Sequence, residues 1–84
     1  MATDGKVVVL LAEDEPSVRC LVETSLERAG YIVLAANDGA EALKLSRTYP
    51  GRIDLLLSDV KMPRVGGPEL AVTVLRERPR MLLG

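Results

Sequence analysis

The chain has 84 residues, of which 48% are apolar, and this is the size of one small domain. Its 11 basic and 12 acidic residues give a net charge of −1, so the overall charge does not attract nucleic acid or an acidic membrane. Its only aromatic residues are two tyrosines, too few to form a stacking surface for single-stranded nucleic acid. The chain contains no histidine, and its single cysteine cannot form an internal disulfide. No charged and apolar leader precedes the first strand, and no apolar run approaches the ~20 residues of a membrane span, so a cytoplasmic protein is expected.

The first strand and helix are predicted from residues 6–30. Residues 6–14, KVVVLLAED, are apolar until they reach acids, which is typical of a central strand of a parallel sheet that is buried on both faces. A helix follows, because Pro16 suits its first turn and Gly30 suits its C-terminal cap. Its apolar residues share one stripe: Val18, Leu21, Val22, Leu26 and Ala29.

The middle of the chain continues the alternation. Residues 31–36 predict a second strand, and after the turn NDG a second helix runs from about residue 40 to residue 48, with Ala40 and Leu43 facing inward. Residues 53–59, IDLLLSD, predict the third strand.

The last third of the chain predicts one more helix and the beginning of a strand. The helix covers residues 68–78, and Pro79 ends it. Residues 80–84, RMLLG, have the pattern of a fourth strand that has just begun. The apolar face of the helix is predicted to contain Leu70, Ala71, Val74 and Leu75. The alternation as a whole predicts an α/β fold with a doubly wound parallel sheet.

Acidic residues follow two of the predicted strands. Glu13 and Asp14 come directly after the first strand, and Asp59 ends the third. Ligands of such sheets bind beyond the carboxyl ends of the strands. If the first and third strands are neighbours, these three carboxylates converge, and they repel one another unless a cation lies among them.

An all-oxygen ligand set favours a hard cation such as Mg²⁺. A carboxylate can also attack phosphorus as a nucleophile, so a metal and a nucleophile together indicate phosphoryl transfer. The alternative is structural: Glu13, Asp14 and Glu15 could cap the first helix, and Asp59 could begin a solvated loop.

Three segments resemble the receiver domains of two-component response regulators and hybrid histidine kinases. They are VVVLLAEDEP, GYIVLAANDGAEAL and IDLLLSDVKMPRVGGPEL, and the resemblance covers residues 6–83. It implies the flavodoxin-like doubly wound sheet of order 2-1-3-4-5, a strand order for which a receiver is itself a standard example. It also implies a histidine kinase or phosphotransfer protein as the partner that donates a phosphoryl group.

The resemblance also assigns roles to individual residues. Asp59 matches the phosphoacceptor, and Glu13 and Asp14 match the acidic pair that holds Mg²⁺ with it. Lys61 matches the position whose backbone carbonyl completes the metal ligands. Met62 and Pro63 match the loop that shapes the pocket, and Gly67 matches the glycine before the third helix.

The chain is expected to be one receiver domain, residues 1–84, truncated after the third helix and the start of the fourth strand. The family's Ser or Thr after the fourth strand and its Lys after the fifth would fall beyond residue 84. The apolar edge of the third strand would then be bare, and the exposed C-terminal strand edge is expected to pair with a second copy, which predicts a homodimer.

Three functions compete at this point. The first is a phosphoacceptor receiver, which is not an enzyme, and the second is a non-signalling interaction module that works as an oligomer. The third is an aspartate-nucleophile phosphohydrolase, which is disfavoured because VKMP after Asp59 offers no general acid two positions on. Arg76, Arg78 and Arg80 are interpreted as a solvated helix end, and Cys20 as an exposed thiol.

Overall fold

The structure is a computed structural model, and it describes residues 5–58 and 67–83. Within these residues, strands and helices alternate as predicted, and no helix is both long and apolar enough to cross a membrane. The elements are β1 (Val8–Ala12), α1 (Pro16–Arg28), β2 (Ile32–Ala36), α2 (Gly39–Thr48), β3 (Leu55–Ser58), α3 (Gly67–Glu77) and β4 (Leu82–Leu83).

The strands form one parallel sheet in the order β2-β1-β3-β4. β1 lies between β2 and β3, and its last residue, Ala12, is in register with Ala36 on one side and Ser58 on the other. β4 pairs with β3, with Leu82 beside Leu55. The order confirms the flavodoxin-like, doubly wound sheet expected from the sequence.

The core lies around β1, whose five residues are all buried. Because side chains alternate along a strand, Val8, Leu10 and Ala12 point to one face of the sheet and Val9 and Leu11 to the other. The first face packs against α2 and α3 and forms the main core cluster. Its other buried members are Ala36, Ala42, Ile53, Leu56, Leu70, Val74 and Met81.

α1 covers the opposite face more loosely, and none of its residues is buried. Val22 and Leu26 are half-buried, but Val18 and Leu21 leave 43% and 68% of their surface exposed although the sequence placed them on the same stripe. At 100° per residue the stripe spans about 140° of the helix circumference, which is wider than the part that rests on a sheet. Leu21 and Leu26 lie at opposite margins of that arc, and because Leu26 is half-buried and Leu21 exposed, the helix rests on the sheet by the Leu26 side; Val18 lies in the first turn.

The end of α1 confirms the predicted role of Gly30. The C-cap is Ala29, and Gly30 follows it with a φ of +98°, a left-handed conformation that glycine adopts without strain. The amide of Gly30 donates to the carbonyl of Glu27 (3.0 Å), and that of Tyr31 donates to Leu26 (3.1 Å). This pair of bonds is a Schellman motif, which turns the chain directly into β2.

The inward face of α2 differs from the prediction by one position. The buried residues are Gly39, Ala42 and Ser46, while Ala40 and Leu43 are only half-buried. Leu43 packs against the core cluster from this half-buried position, as predicted, but the centre of the buried face is one position away and includes a serine. Ser46 is 2% exposed, and a polar residue at such a position requires a hydrogen-bond partner.

Arg78 supplies that partner. Its Nε donates to the hydroxyl of Ser46 (3.0 Å), and its Nη2 donates to the carbonyls of Ser46 (2.6 Å) and Tyr49 (3.1 Å). Its Nη1 donates to the carbonyl of Gly51 (3.0 Å). The guanidinium therefore caps the C-terminal end of α2 and holds the loop that leads to β3.

This contact corrects the interpretation of Arg76, Arg78 and Arg80 as one solvated helix end. Arg76 and Arg80 are exposed, but Arg78 is half-buried and turned toward α2. A second link joins the same helices, because Arg47 of α2 forms an ion pair with Glu77 of α3 at 2.8 Å. The hydrogen bond between them lowers the pKa of Glu77 and raises the pKa of Arg47.

β3 begins two residues later than predicted, at Leu55, and Asp54, directly before it, bonds to both neighbouring strands. Its carboxylate Oδ2 accepts a hydrogen bond from the amide of Val8 (2.9 Å), and its own amide donates to the carbonyl of Val8 (2.9 Å). Its carbonyl accepts from the amide of Leu82 (2.9 Å), and its Oδ1 forms an ion pair with Nε of Arg52 (2.9 Å). One residue thus joins the amino ends of β1, β3 and β4.

We predict that Arg78→Ala destabilises the fold by about 2 kcal/mol or more, because it removes a charged donor from several partners and leaves the Ser46 hydroxyl unsatisfied. Urea denaturation followed by circular dichroism measures the free energy of unfolding. Arg76→Ala, a change at an exposed arginine in the last turn of α3, two residues before Arg78, is the control and should change this free energy by less than about 0.5 kcal/mol. Equal effects of the two substitutions would contradict the capping role.

Candidate functional site

The candidate site lies where β1 and β3 end side by side. Ala12 and Ser58 are partners in the sheet register, and each is the last residue of its strand. The N-terminus of α1 lies at the same edge, shortly after β1 ends. We call this the carboxyl edge, and it is the edge at which doubly wound sheets bind ligands.

Glu13 and Asp14 follow β1 directly at this edge. The amide of Glu13 continues the sheet by donating to the carbonyl of Ala36 (3.1 Å). Its side chain is half-buried, whereas Asp14 is exposed and makes no hydrogen bond or ion pair with another described residue. The two carboxylates are therefore placed where the sequence predicted, and that of Asp14 is open to a ligand.

The structural alternative applies to Glu15, which is the N-cap of α1. Its Oε1 accepts hydrogen bonds from the amide (3.3 Å) and the hydroxyl (2.8 Å) of Ser17. These bonds lower the pKa of Glu15, the side-chain bond contributing most. Glu13 also takes part in the turn, because its Oε2 accepts from the amide of Glu15 (3.1 Å). Capping thus occupies Glu15 and leaves Asp14 uninvolved.

Arg19 contacts the backbone of the acidic pair, and the sequence analysis did not identify it. Its Nη1 donates to the backbone carbonyl of Glu13 (2.9 Å), which ties α1 to the turn that carries the acidic pair. The available signal was its position one turn into a helix that directly follows the acidic residues. We assign Arg19 a positioning role, since it contacts the backbone of the site and not the carboxylates.

Asp38 and Glu41 bring further acidic side chains to the same edge, at the start of α2. Oδ1 of Asp38 accepts from the amide of Glu41 (2.8 Å), and Oε1 of Glu41 accepts from the amide of Asn37 (2.7 Å). This reciprocal arrangement is close to a capping box. It confirms the interpretation of residues 38–43, DGAEAL, as the start of a helix, and it gives these two acids a structural role.

The remaining predicted site residues, Asp59 and Lys61, lie outside the described residues, as do Met62 and Pro63. Gly67 is described, and it is the first residue of α3.

Among residues 5–58 and 67–83, no group of three acidic, histidine or cysteine side chains could hold a metal ion. The described pair, Glu13 and Asp14, offers carboxylate oxygens alone, and such donors fit a hard cation such as Mg²⁺.

Comparison with known proteins identifies the class to which this fold and edge belong. A sequence model of the response regulator receiver domain matches residues 9–82. The chain is therefore a member of the response regulator receiver domain family, which functions in two-component signalling.

Curated relatives contain the same domain within longer proteins. Sensor kinase CckA of Brucella abortus is 44% identical over 78 residues, which are 90% of this chain and 8% of that protein. The alkaline phosphatase synthesis transcriptional regulatory protein PhoP of Bacillus subtilis is 42% identical over 62 residues, or 74% of this chain and 25% of that protein. The chain thus spans a quarter or less of the length of each of these two relatives.

Solved receiver structures share the fold. The response regulator TrrA of Thermotoga maritima, solved in complex with Mg²⁺ and BeF, superposes with a TM-score of 0.79 at 31% identity, covering 92% of this chain and 65% of that chain. The receiver domain of the hybrid histidine kinase CckA gives a TM-score of 0.72 at 42% identity, covering 87% and 64%. A CheY-like receiver of Methanospirillum hungatei gives 0.87 at 26% identity, covering 94% and 62%.

We predict that Mg²⁺ binds at the carboxyl edge. Titration with Mg²⁺ should shift the amide resonances of residues 12–15 and 58–62, because these segments would surround the ion. Glu13→Gln should weaken binding about tenfold or more, since it removes a charged ligand. Glu27→Gln, the same change near the other end of α1, is the matched control and should bind as the unmodified chain does. No shift at millimolar Mg²⁺, or equal weakening by both substitutions, would contradict the site.

Proposed function

We propose that the chain accepts a phosphoryl group on Asp59 as a receiver domain of a two-component phosphorelay. The observation that carries the proposal is the register of Ala12 with Ser58, since Glu13 follows the first and Asp59 follows the second in the sequence. Support also comes from TrrA, a family member whose solved structure contains Mg²⁺ and BeF.

In the proposed reaction, a carboxylate oxygen of Asp59 forms a bond to phosphorus while the bond between phosphorus and the donor imidazole nitrogen breaks. The imidazole leaves with its nitrogen available to a proton. A bound Mg²⁺ supplies positive charge that neutralises the oxygens of the transferred group. The ion would be held by Glu13, Asp14 and Asp59 and by the backbone carbonyl of Lys61.

Around this chemistry, the described residues have supporting tasks. Arg19 fixes the backbone of Glu13, and the cap of Glu15 fixes the turn between β1 and α1. Asp14 remains uncommitted among the described residues and can turn its carboxylate toward the ion. The carboxylates need the ion in return, because placing several of them together is unfavourable without a cation.

The donor in the proposal is the phosphohistidine of a histidine kinase or phosphotransfer protein, because this chain contains no histidine of its own. Receiver domains interact with histidine kinases, as in the solved complex of the kinase ThkA with TrrA, which superposes on this chain with a TM-score of 0.78 at 31% identity. The cytoplasm, where kinases have access to ATP, is the location that this donor requires. The chain acts as an acceptor in this proposal and not as an enzyme.

The proposal predicts that Asp59→Asn abolishes labelling by a small phosphodonor in the presence of Mg²⁺. Intact-protein mass spectrometry measures the added phosphoryl group, and beryllofluoride provides a stable mimic for resonance shifts. Glu27→Gln is the control, since it makes the same carboxylate-to-amide change at an exposed residue near the far end of α1, and circular dichroism checks that each variant is folded. If the Asp59→Asn variant is labelled as strongly as the unmodified chain, Asp59 is not the acceptor.

A homodimer through the outer edge of β4 is a further part of the proposal. The described sheet ends at β4, and its residues Leu82 and Leu83 are 69% and 50% exposed. Their side chains point to opposite faces of the sheet, so an edge strand from a second copy would continue the sheet and cover both. The expectation that the edge of β3 would be bare needs correction for Leu55 and Leu56, which β4 covers, whereas Leu57 and Ser58 pair with no described residue on that side.

The edge contact predicts that the chain sediments as a dimer and that Leu82→Asp with Leu83→Asp shifts it to the monomer, because charges at an edge strand oppose pairing. Val72→Asp, a change at an exposed apolar residue of α3, is the control and should leave the dimer intact. A folded monomer of the unmodified chain at all concentrations would refute the dimer.

A further inference from the structure

Charge is segregated between the two ends of the sheet. The carboxyl edge gathers acidic residues from the starts of the helices. The opposite end, which we call the basal edge, is formed by the amino ends of the strands and the last turns of the helices. The basal edge has three acidic residues, Glu27, Asp54 and Glu77. It has twice as many arginines: Arg28, Arg47, Arg52, Arg76, Arg78 and Arg80.

Four of the six basal arginines, Arg28, Arg52, Arg76 and Arg80, keep their terminal nitrogens available within the described part of the chain, and two of these four, Arg52 and Arg80, lie in the loops that lead into β3 and β4. Arg78 is used by the carbonyls at the end of α2, and Arg47 by Glu77. Arg52 contacts Asp54 through Nε, which leaves its two terminal nitrogens without a hydrogen bond to any described residue. Arg80 makes no hydrogen bond or ion pair within residues 5–58 and 67–83.

These two arginines line the same cleft. The cleft has a volume of about 360 Å³, within the range of small-molecule sites. Its apolar lining includes Ile53 and Met81, which are 2% and 4% exposed and therefore fixed in the core. The complete lining is Arg52, Ile53, Arg78, Pro79, Arg80 and Met81.

The wall of the cleft is held in place by contacts already described. Arg78 is anchored to the loop before β3 through Gly51, and Asp54 joins that loop to β1 and β4. The amide of Met81 donates to the carbonyl of Arg78 (3.1 Å), which closes the turn that carries Arg80. The backbone around the two arginines is therefore organised before any ligand arrives, which lowers the cost of binding.

We propose that this basal cleft binds the polyphosphate group of a small molecule. Guanidinium groups match phosphate oxygens with paired, charge-assisted hydrogen bonds. Asp54 neutralises part of the charge of Arg52, which weakens the attraction of the cleft for any single negative charge. A ligand with several negative charges can interact with Arg52 and Arg80 together, so its electrostatic attraction to the cleft is stronger than that of a single carboxylate. Pro79, an exposed apolar residue of the lining, offers a surface to the uncharged part of the molecule, while Ile53 and Met81 form the buried floor. The site is independent of phosphoryl acceptance, since none of its residues lies at the carboxyl edge.

Inorganic tripolyphosphate and ATP, used without Mg²⁺, are the probes. Each should shift the amide resonances of residues 52–54 and 78–81, and ATP should bind more tightly because its nucleoside can contact the apolar lining. Arg52→Gln and Arg80→Gln should each weaken binding about tenfold, as expected for loss of a charge-assisted hydrogen bond. Arg76→Gln, which removes an exposed basal charge that does not line the cleft, should change the affinity less than about twofold, because solvent and salt screen such a charge.

Equal weakening by Arg76→Gln and Arg80→Gln would overturn the proposal, because it would mean that only general charge attracts the anion. No binding at millimolar probe would also overturn it. A tetraglutamate peptide that binds as tightly as tripolyphosphate would refute the ligand class. Asp59→Asn should bind both probes as the unmodified chain does, so this outcome and that of the phosphorylation experiment can be distinguished.

Discussion

The burial of β1 on both faces is the constraint on which the rest of the structure depends. A strand whose five residues are all buried needs a neighbour on each side and a helical layer on each face. Parallel neighbours require crossover helices, and right-handed crossovers place α1 on one face and α2 and α3 on the other. The same arrangement brings the ends of β1 and β3 to one edge. The location of the candidate site therefore follows from the packing of an apolar strand.

The sequence predicted the fold well where burial and apolar character coincide, and less well where they do not. β1 is a continuous apolar run, and Leu70 and Val74 of α3 are buried as their spacing indicated. The inward face of α2 could be predicted only in part from apolar residues, because it also includes Ser46, whose hydroxyl is satisfied by Arg78, 32 positions away. A bond of that range has no local signal in the sequence.

The site was predictable to the extent that it depends on strand ends. Glu13 and Asp14 lie where a parallel sheet must place residues that follow a central strand. The division of labour among the acids was not predictable, because it depends on side-chain geometry: Glu15 caps α1, Asp14 makes no such contact, and Arg19 reaches back to a backbone carbonyl. The roles proposed for Asp59 and Lys61 rest on the family resemblance.

The separation of acidic and basic ends also bears on whether the two proposed sites influence each other. From Ile53 at the cleft to Ser58 at the carboxyl edge the chain advances about five residues, or ~17 Å at the rise of a strand. This exceeds the ~8 Å Debye length at physiological ionic strength. Direct charge coupling through solvent is therefore weak, and any coupling has to pass through the packing of β3. Leu56, 1% exposed, packs in the core between them, and a close-packed core resists small displacements, so we expect the two proposed sites to bind their ions independently.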